Sequence, residues 1–141
     1  MEAVDVEDPN KFTTVTNKAF FVGYRVKNQF KIGAEYNVLK NATTYKSASA
    51  DRDLIGLSYY ATYFVNKKWN VFGRFDQLSS SRIVGENNNW NYSNDGKTYI
   101  VGFEHNFSKG VNTSMNYRFT NFEDVTNKTT SSIYFNLEFF F

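Results

Sequence analysis

Apolar and polar residues alternate along most of the chain with a period of two, the pattern of strands that have one greasy and one wet face. The alternation settles between about Thr14 and Val26, where Phe20, Val22, Tyr24 and Val26 oppose Phe21, Gly23 and Arg25. After a break at Lys27-Asn28, Phe30, Ile32, Ala34, Tyr36 and Val38 oppose Lys31, Gly33, Glu35 and Asn37. A third strand, about Leu54–Val65, sets Ile55, Leu57, Tyr59, Ala61, Tyr63 and Val65 against Gly56, Ser58, Tyr60 and Thr62. The fourth sets Trp69, Val71, Gly73 and Phe75 against Asn70, Phe72, Arg74 and Asp76. In the fifth, Tyr99, Val101, Phe103, His105 and Phe107 face away from Ile100, Gly102, Glu104 and Asn106. The sixth opposes Val111, Thr113, Met115, Tyr117 and Phe119 to Asn112, Ser114, Asn116, Arg118 and Thr120. The last, 132–141, carries Ile133, Phe135, Leu137, Phe139 and Phe141 on one face and a mostly polar set, including Glu138, on the other.

The pattern thus predicts an all-β, antiparallel up-and-down architecture of seven full strands, each of about 9–13 residues, and no helix. Residues 1–6 alternate weakly and are read as part of a further strand, with Glu7-Asp8-Pro9-Asn10 as a turn or loop. Connections alternate between short ones at 27–28, 66–68 and 108–110 and long ones at 40–53, 78–97 and 121–130.

Two architectures share such alternation: a soluble barrel or sandwich with the apolar face inward, and a membrane barrel with that face toward lipid and a wet interior. Strand lengths match a tilted bilayer crossing, which takes about 9–11 residues. A soluble meander has no reason to keep all the connections at one end short, whereas a membrane barrel does. Aromatics crowd the ends of the apolar stripes, at Tyr24, Phe30, Tyr36, Trp69, Phe75, Tyr99, Phe107, Phe119 and Phe139, as an interfacial girdle requires. A run of three Phe at 139–141 is an aggregation hazard in water and sensible against lipid.

Composition agrees. With 15 Phe, 10 Tyr and 2 Trp the chain is 19% aromatic, yet its hydrophobic fraction is only 41%, and no stretch approaches the run of about 20 apolar residues that a membrane helix needs. A net charge of +2 gives no bulk field for nucleic acid, and the absence of Cys removes disulfides and thiol chemistry. The 141 residues fit one domain by size, and the acidic start, Met1–Pro9, has no hydrophobic segment of the kind a secretion signal needs.

The terminal strand, with Phe at its end and apolar residues at alternating positions before it, resembles the C-terminal strand of bacterial outer-membrane porins. The Asn-, Tyr- and Lys-rich texture looks like porins of the Bacteroidetes. The resemblance implies that Ile133, Phe135, Leu137, Phe139 and Phe141 form a signal read by the barrel-assembly machinery, with the C-terminus at the periplasmic rim. It also implies outer-membrane lipid and lipopolysaccharide as surroundings, small hydrophilic solutes as cargo, no enzymatic activity and no cofactor. Trimers are common among such proteins. With Phe141 at the periplasm, the first full strand begins on the extracellular side. Barrels of this kind have even strand numbers, so the expectation is the C-terminal piece of a larger barrel. The alternative is a small eight-stranded barrel with a structural or surface role, and a soluble ligand-binding barrel comes third.

Eight charged residues fall on the polar faces: Arg25, Lys31, Glu35, Arg74, Asp76, Glu104, Arg118 and Glu138. They are read either as a pore lining that sets ion preference or as charge pairs bracing the wall; the balance of four bases and four acids predicts no strong selectivity. The single histidine, His105, excludes a His metal cluster and lies near a short turn, away from where a surface hydrolase site is expected. Asp51, Asp53, Glu86 and Asp95 have no EF-hand spacing and are expected to be exposed loop charges. Inward Tyr60, Phe64, Phe72 and Tyr134 are expected to fill interior space. Asn-X-Ser/Thr matches such as those beginning at Asn41, Asn91 and Asn127 are chance matches in a chain rich in Asn and Thr.

Overall fold

A chain of period-two segments joined by turn residues has one economical solution: each strand pairs with the one before it. The computed structural model describes residues 14–42 and 52–140 and shows this arrangement. The strands are β1 (Thr16–Val26), β2 (Phe30–Lys40), β3 (Leu54–Phe64), β4 (Trp69–Ser80), β5 (Gly96–Ser108), β6 (Val111–Phe122) and β7 (Thr130–Phe139). They form one seven-stranded antiparallel sheet in sequential order. No helix among the described residues is long and apolar enough to cross a membrane. Residues 1–6, expected to contribute part of a strand, and Phe141 lie outside the described residues.

Directly opposed residues share a face, so the register decides whether the apolar stripes coincide. They do: one row runs Tyr24, Ile32, Ala61, Gly73, Val101, Tyr117, Ile133 across all seven strands. The neighbouring polar row runs Gly33, Tyr60, Arg74, Ile100, Arg118, Ser132. β4 extends to Ser80, beyond the Asp76 where the alternation fades, because its ladder with β3 continues through Gln77 opposite Leu57 and Ser79 opposite Ile55.

Burial is inverted relative to a water-soluble fold. Among the described residues no apolar side chain is buried, and the three buried residues, Asn70, Ser80 and Asp95, are all polar. Exposure is not confined to the sheet edges, since Tyr63 on β3 is 58% exposed and Val101 on β5 is 61% exposed. An apolar surface that continuous calls for an apolar surround. Rings reinforce it: Tyr59, Phe75, Tyr99 and Phe119 make a ladder with successive centroid spacings of 6.3, 5.2 and 6.2 Å.

The sheet curls toward its polar face, and long residues two strands apart meet there. Phe21 on β1 stacks with Tyr60 on β3 at 6.0 Å, and the Arg25 guanidinium sits 5.6 Å from the centre of the Phe64 ring. Among the described residues β1 and β7 are not paired with each other. Both run in the same direction, so antiparallel closure between them takes a strand of the opposite sense.

The three tight turns each use local chemistry. Asn28 takes the left-handed conformation that Asn tolerates (φ 60°), beside the Gln29 N–H that donates to the Val26 carbonyl. Asn66 accepts from the backbone N–H groups of Lys68 and Trp69 at 2.8 and 3.0 Å, an Asx turn. Gly110 has φ 89°, and a Cβ there would stand 2.7 Å from the Phe140 carbonyl oxygen.

Candidate functional site

The eight charged residues all lie in the register rows of the concave face. Arg25 opposes Lys31, Glu35 opposes Ser58, Ser58 opposes Asp76, and Arg74 and Arg118 both oppose Ile100. Glu104 opposes Ser114, and Glu138 opposes Asn112. Alternation places them there; the curl decides which of them meet.

Two cavities occupy the concave side. One of about 520 Å³, toward the long loops, is lined by Ser58, Arg74, Asp76, Thr98, Arg118 and Thr120 among others. The second, of about 580 Å³ and toward the short turns, draws its lining from β1 through β6, including Arg25, Lys31, Asn70, Arg74, Glu104 and Ser114. Arg74 borders both. Glu35 and Glu138 line neither, so the bases around these cavities outnumber the acids, four to two. The balanced count along the wall therefore does not carry over to the space the wall encloses.

The acids that do reach the cavities are engaged. Arg74 Nε donates to both carboxylate oxygens of Asp76 at 2.8 and 2.9 Å, and the Ser58 hydroxyl donates to Asp76 at 2.5 Å. Residues two apart on a strand share a face, which is why this pair forms on β4. The site is open to water: the Arg74 side chain is 50% exposed, so the pair orders the wall more than it stabilises the fold. Asn70, one of the three buried residues, donates its amide to Glu104 at 3.4 Å. Farther toward the loops, the Thr98 and Thr120 hydroxyls are 3.0 Å apart. By contrast, Arg25 and Lys31 stand directly opposite one another, a like-charge pairing that is normally unfavourable.

Two of the inward aromatics, Tyr60 and Phe72, line the second cavity and each also has a specific partner. Tyr60 lies over Gly33, where a Cβ would come within 2.4 Å of the ring, and Phe72 lies over Gly102 at 2.7 Å. Each ring lies against the glycine directly opposite it on the next strand. A ring placed over the glycine covers the backbone that glycine leaves bare. Sequence reasoning missed these pairs because they depend on register between segments about 27–30 residues apart. It also missed Ser58 and Asn70, whose roles come from neighbours across the sheet.

Asp95 departs furthest from expectation. Taken from the sequence as an exposed loop charge, it is 0% exposed. Its carboxylate accepts from the Ser80 backbone N–H at 3.0 Å, from the Ser80 hydroxyl, and from the Asn91 amide at 3.3 Å. Asp53 accepts from the Asn41 backbone N–H at 3.0 Å. Among the described residues no group of three or more potential metal ligands is present; Asp51 lies outside them. His105 is on the outward face, stacked on Trp69 with ring centroids 4.1 Å apart.

An antiparallel meander with an apolar convex face, a charged concave face and, among the described residues, no buried apolar side chain has the makeup of a membrane β-barrel wall. The family described as the outer membrane protein beta-barrel domain matches residues 2–139, and the chain belongs to that family. No curated protein and no solved structure matches the chain.

Proposed function

We propose that the concave wall lines a narrow water-filled path across the outer membrane, through which small hydrophilic solutes or ions diffuse passively. The observation that carries this reading is the pair of cavities, both bordered by charged side chains, that share Arg74. Together they follow the concave wall from the short-turn half to the long-loop half, and Tyr60 and Phe72, set over Gly33 and Gly102, border the second. A wall bearing eight charged residues is costly in a dry interior and ordinary in a wet one. In this reading Arg25, Lys31, Glu35, Arg74, Asp76, Glu104, Arg118 and Glu138 are pore-lining, and the wall performs no chemistry on what passes. Ile133, Phe135, Leu137, Phe139 and Phe141 form the assembly signal, with the short turns in the periplasm. The Asn-, Tyr- and Lys-rich makeup fits such a porin from the Bacteroidetes.

The deciding experiment is single-channel conductance of the refolded full chain in a planar bilayer. Discrete steps are expected, and Arg74→Ala is expected to change their size because it removes the group common to both cavities and frees Asp76. A folded protein that inserts but never conducts overturns the channel reading. That result would favour a structural or surface-exposed barrel, for which the tightly bonded loop around Asp95 is the supporting observation.

A further inference from the structure

The short-turn end carries a charge pattern that the channel reading does not use. Its three turns, 27–29, 66–68 and 108–110, contain Lys27, Lys67, Lys68 and Lys109 and no acidic side chain. All four lysines are exposed, and among the described residues none of them takes part in an ion pair. Polar connections as such do not explain this. In the loops 81–95 and 123–129 at the opposite end, Arg82 and Lys128 are mixed with Glu86, Asp95, Glu123 and Asp124. Strands lie about 4.8 Å apart, so turns on alternate strand pairs set a lysine-bearing point roughly every 10 Å along the rim.

Just inside this rim, on the outward face, sits a cluster of rings. Trp69 follows Lys68 directly and stacks on His105 at 4.1 Å, with Phe103 5.7 Å from Trp69 and Phe107 5.8 Å from His105. The Asn106 N–H donates to the Lys68 carbonyl at 2.8 Å, which holds the 66–68 turn against the end of β5. Trp and His rings with apolar bodies and polar edges are suited to the boundary between acyl chains and headgroups. Lysines one step beyond can lay their stems along apolar surface and raise their ammonium groups to headgroup phosphates.

The geometry points to a binding surface for anionic phospholipid headgroups on the short-turn rim, formed by Lys27, Lys67, Lys68 and Lys109 and seated on the Trp69–His105 stack. The inference rests on the convex face meeting lipid; it goes beyond the channel reading and does not depend on conduction. The partner is fixed by charge and depth. The lysines lie at the edge of a lipid-facing apolar band, where the phosphates of the adjoining leaflet are the nearest anions. Each lysine near an anionic leaflet favours binding by about fivefold, so four of them supply a strong preference for anionic over zwitterionic lipid.

The test uses the refolded full chain with phosphatidylglycerol and phosphatidylcholine, with retained lipid counted by native mass spectrometry. Wild type is expected to retain phosphatidylglycerol at least tenfold over phosphatidylcholine, and raised salt is expected to weaken that preference. The variant K27Q/K67Q/K68Q/K109Q is expected to lose it. Should that variant fold poorly, K27Q/K109Q and K67Q/K68Q are each expected to show a partial loss. Equal retention of the two lipids by wild type, or an undiminished preference in the folded variants, overturns the proposal. Quenching of Trp69 by lipids brominated in their acyl chains, measured in Trp90→Phe, separates the two levels of inference. Quenching without phosphatidylglycerol preference sinks only the headgroup site, whereas no quenching removes the lipid-facing premise.

Discussion

The two ends of the sheet are held by different kinds of bond. At the short-turn end the turns are closed by local bonds, the Asn66 side chain capping the two residues after its neighbour and Gln29 reaching back three residues to Val26. The turns meet neighbouring strands through backbone bonds, Phe64 N–H to the Gln29 carbonyl, Asn106 N–H to that of Lys68 and Phe140 N–H to that of Gly110. At the long-loop end side chains also join distant segments. The Asp53 N–H donates to the Ser81 hydroxyl 28 residues away, and the Trp90 indole N–H donates to the Asp53 carbonyl across 37 residues. Asn127 donates to the Ser93 carbonyl at 2.7 Å, and the Glu123 N–H to that of Asp95 at 2.8 Å, so the 123–129 connection joins the same assembly. Asp95 is its centre, the one fully buried side chain among the described residues. A barrel wall needs little at an end where strands turn straight back. Where strands are linked by fifteen residues it must either leave the loop loose or build a small polar core to fix it, and this chain builds one.

The largest expected effect follows from that core. Asp95→Ala leaves the Ser80 hydroxyl and N–H and the Asn91 amide without their acceptor in a site closed to water. Bonds to a charged acceptor are worth about 1.5–3 kcal/mol each, so a loss of about 3 kcal/mol or more is expected. The urea midpoint of the refolded barrel measures it, and limited proteolysis should show new cleavage within 81–95 while the short turns stay protected. Asp95→Asn, which keeps one acceptor oxygen, should lose less. Equal stability of Asp95→Ala and wild type would show that the loop core is dispensable.

At the other end the corresponding variant is Gly110→Ala. It forces an L-residue to hold φ 89° and sets a methyl group 2.7 Å from the Phe140 carbonyl oxygen. The left-handed conformation alone costs about 1–2 kcal/mol. Because this turn bonds only to the adjacent end of the last strand, the damage should stay near it: faster hydrogen exchange at the Phe140 amide, which donates to the Gly110 carbonyl at 2.8 Å, with the exchange of the 81–95 amides unchanged. Spread of the effect to the long-loop end would erase the distinction between the two ends.

The same contrast explains what could be read from the residues alone. Strands, faces and short turns come from neighbours in sequence: Phe30, Ile32, Ala34, Tyr36 and Val38 declare their shared face without any partner, and Asn28 and Gly110 mark their turns. Arg74 and Asp76, two apart on one strand, are also visible as a pair. What stays hidden depends on register. Ser93-Asn94-Asp95-Gly96 has the composition of an exposed turn, and nothing within it tells that Ser80, on the preceding strand, closes over the carboxylate. Likewise the eight wall charges sum to zero, yet the curl brings four bases and two acids to the cavities and leaves Glu35 and Glu138 aside. The polar Gln77 and Ser79 on the outward face mask the last turn of alternation, which is why β4 runs beyond the strand the pattern predicts.

The smallest expected effect probes whether local bonding also exists at the long-loop end. Asp124 is partly exposed, and its carboxyl is held below the ordinary carboxylate pKa, first by the Thr126 hydroxyl at 2.6 Å and then by the Thr126 backbone N–H at 2.9 Å. Both donors favour the charged form. Because the folded-state pKa is depressed, whatever this turn adds to stability is complete above the unfolded-state value of about 3.9 and disappears as pH falls through the lower folded value. Thr126→Val keeps the backbone donor and removes the hydroxyl, so the Asp124 carboxyl should titrate at higher pH than in wild type, by less than the full return to an unperturbed carboxylate. Side-chain carboxyl shifts in an NMR pH titration read this directly. The Asp95 core should be untouched by the substitution, since the 124–126 turn bonds to itself while Asn127 and Glu123 make the links to the rest of the loop end. If Thr126→Val instead loosened residues 81–95, the long-loop end would be a single unit in which even a three-residue turn is not independent.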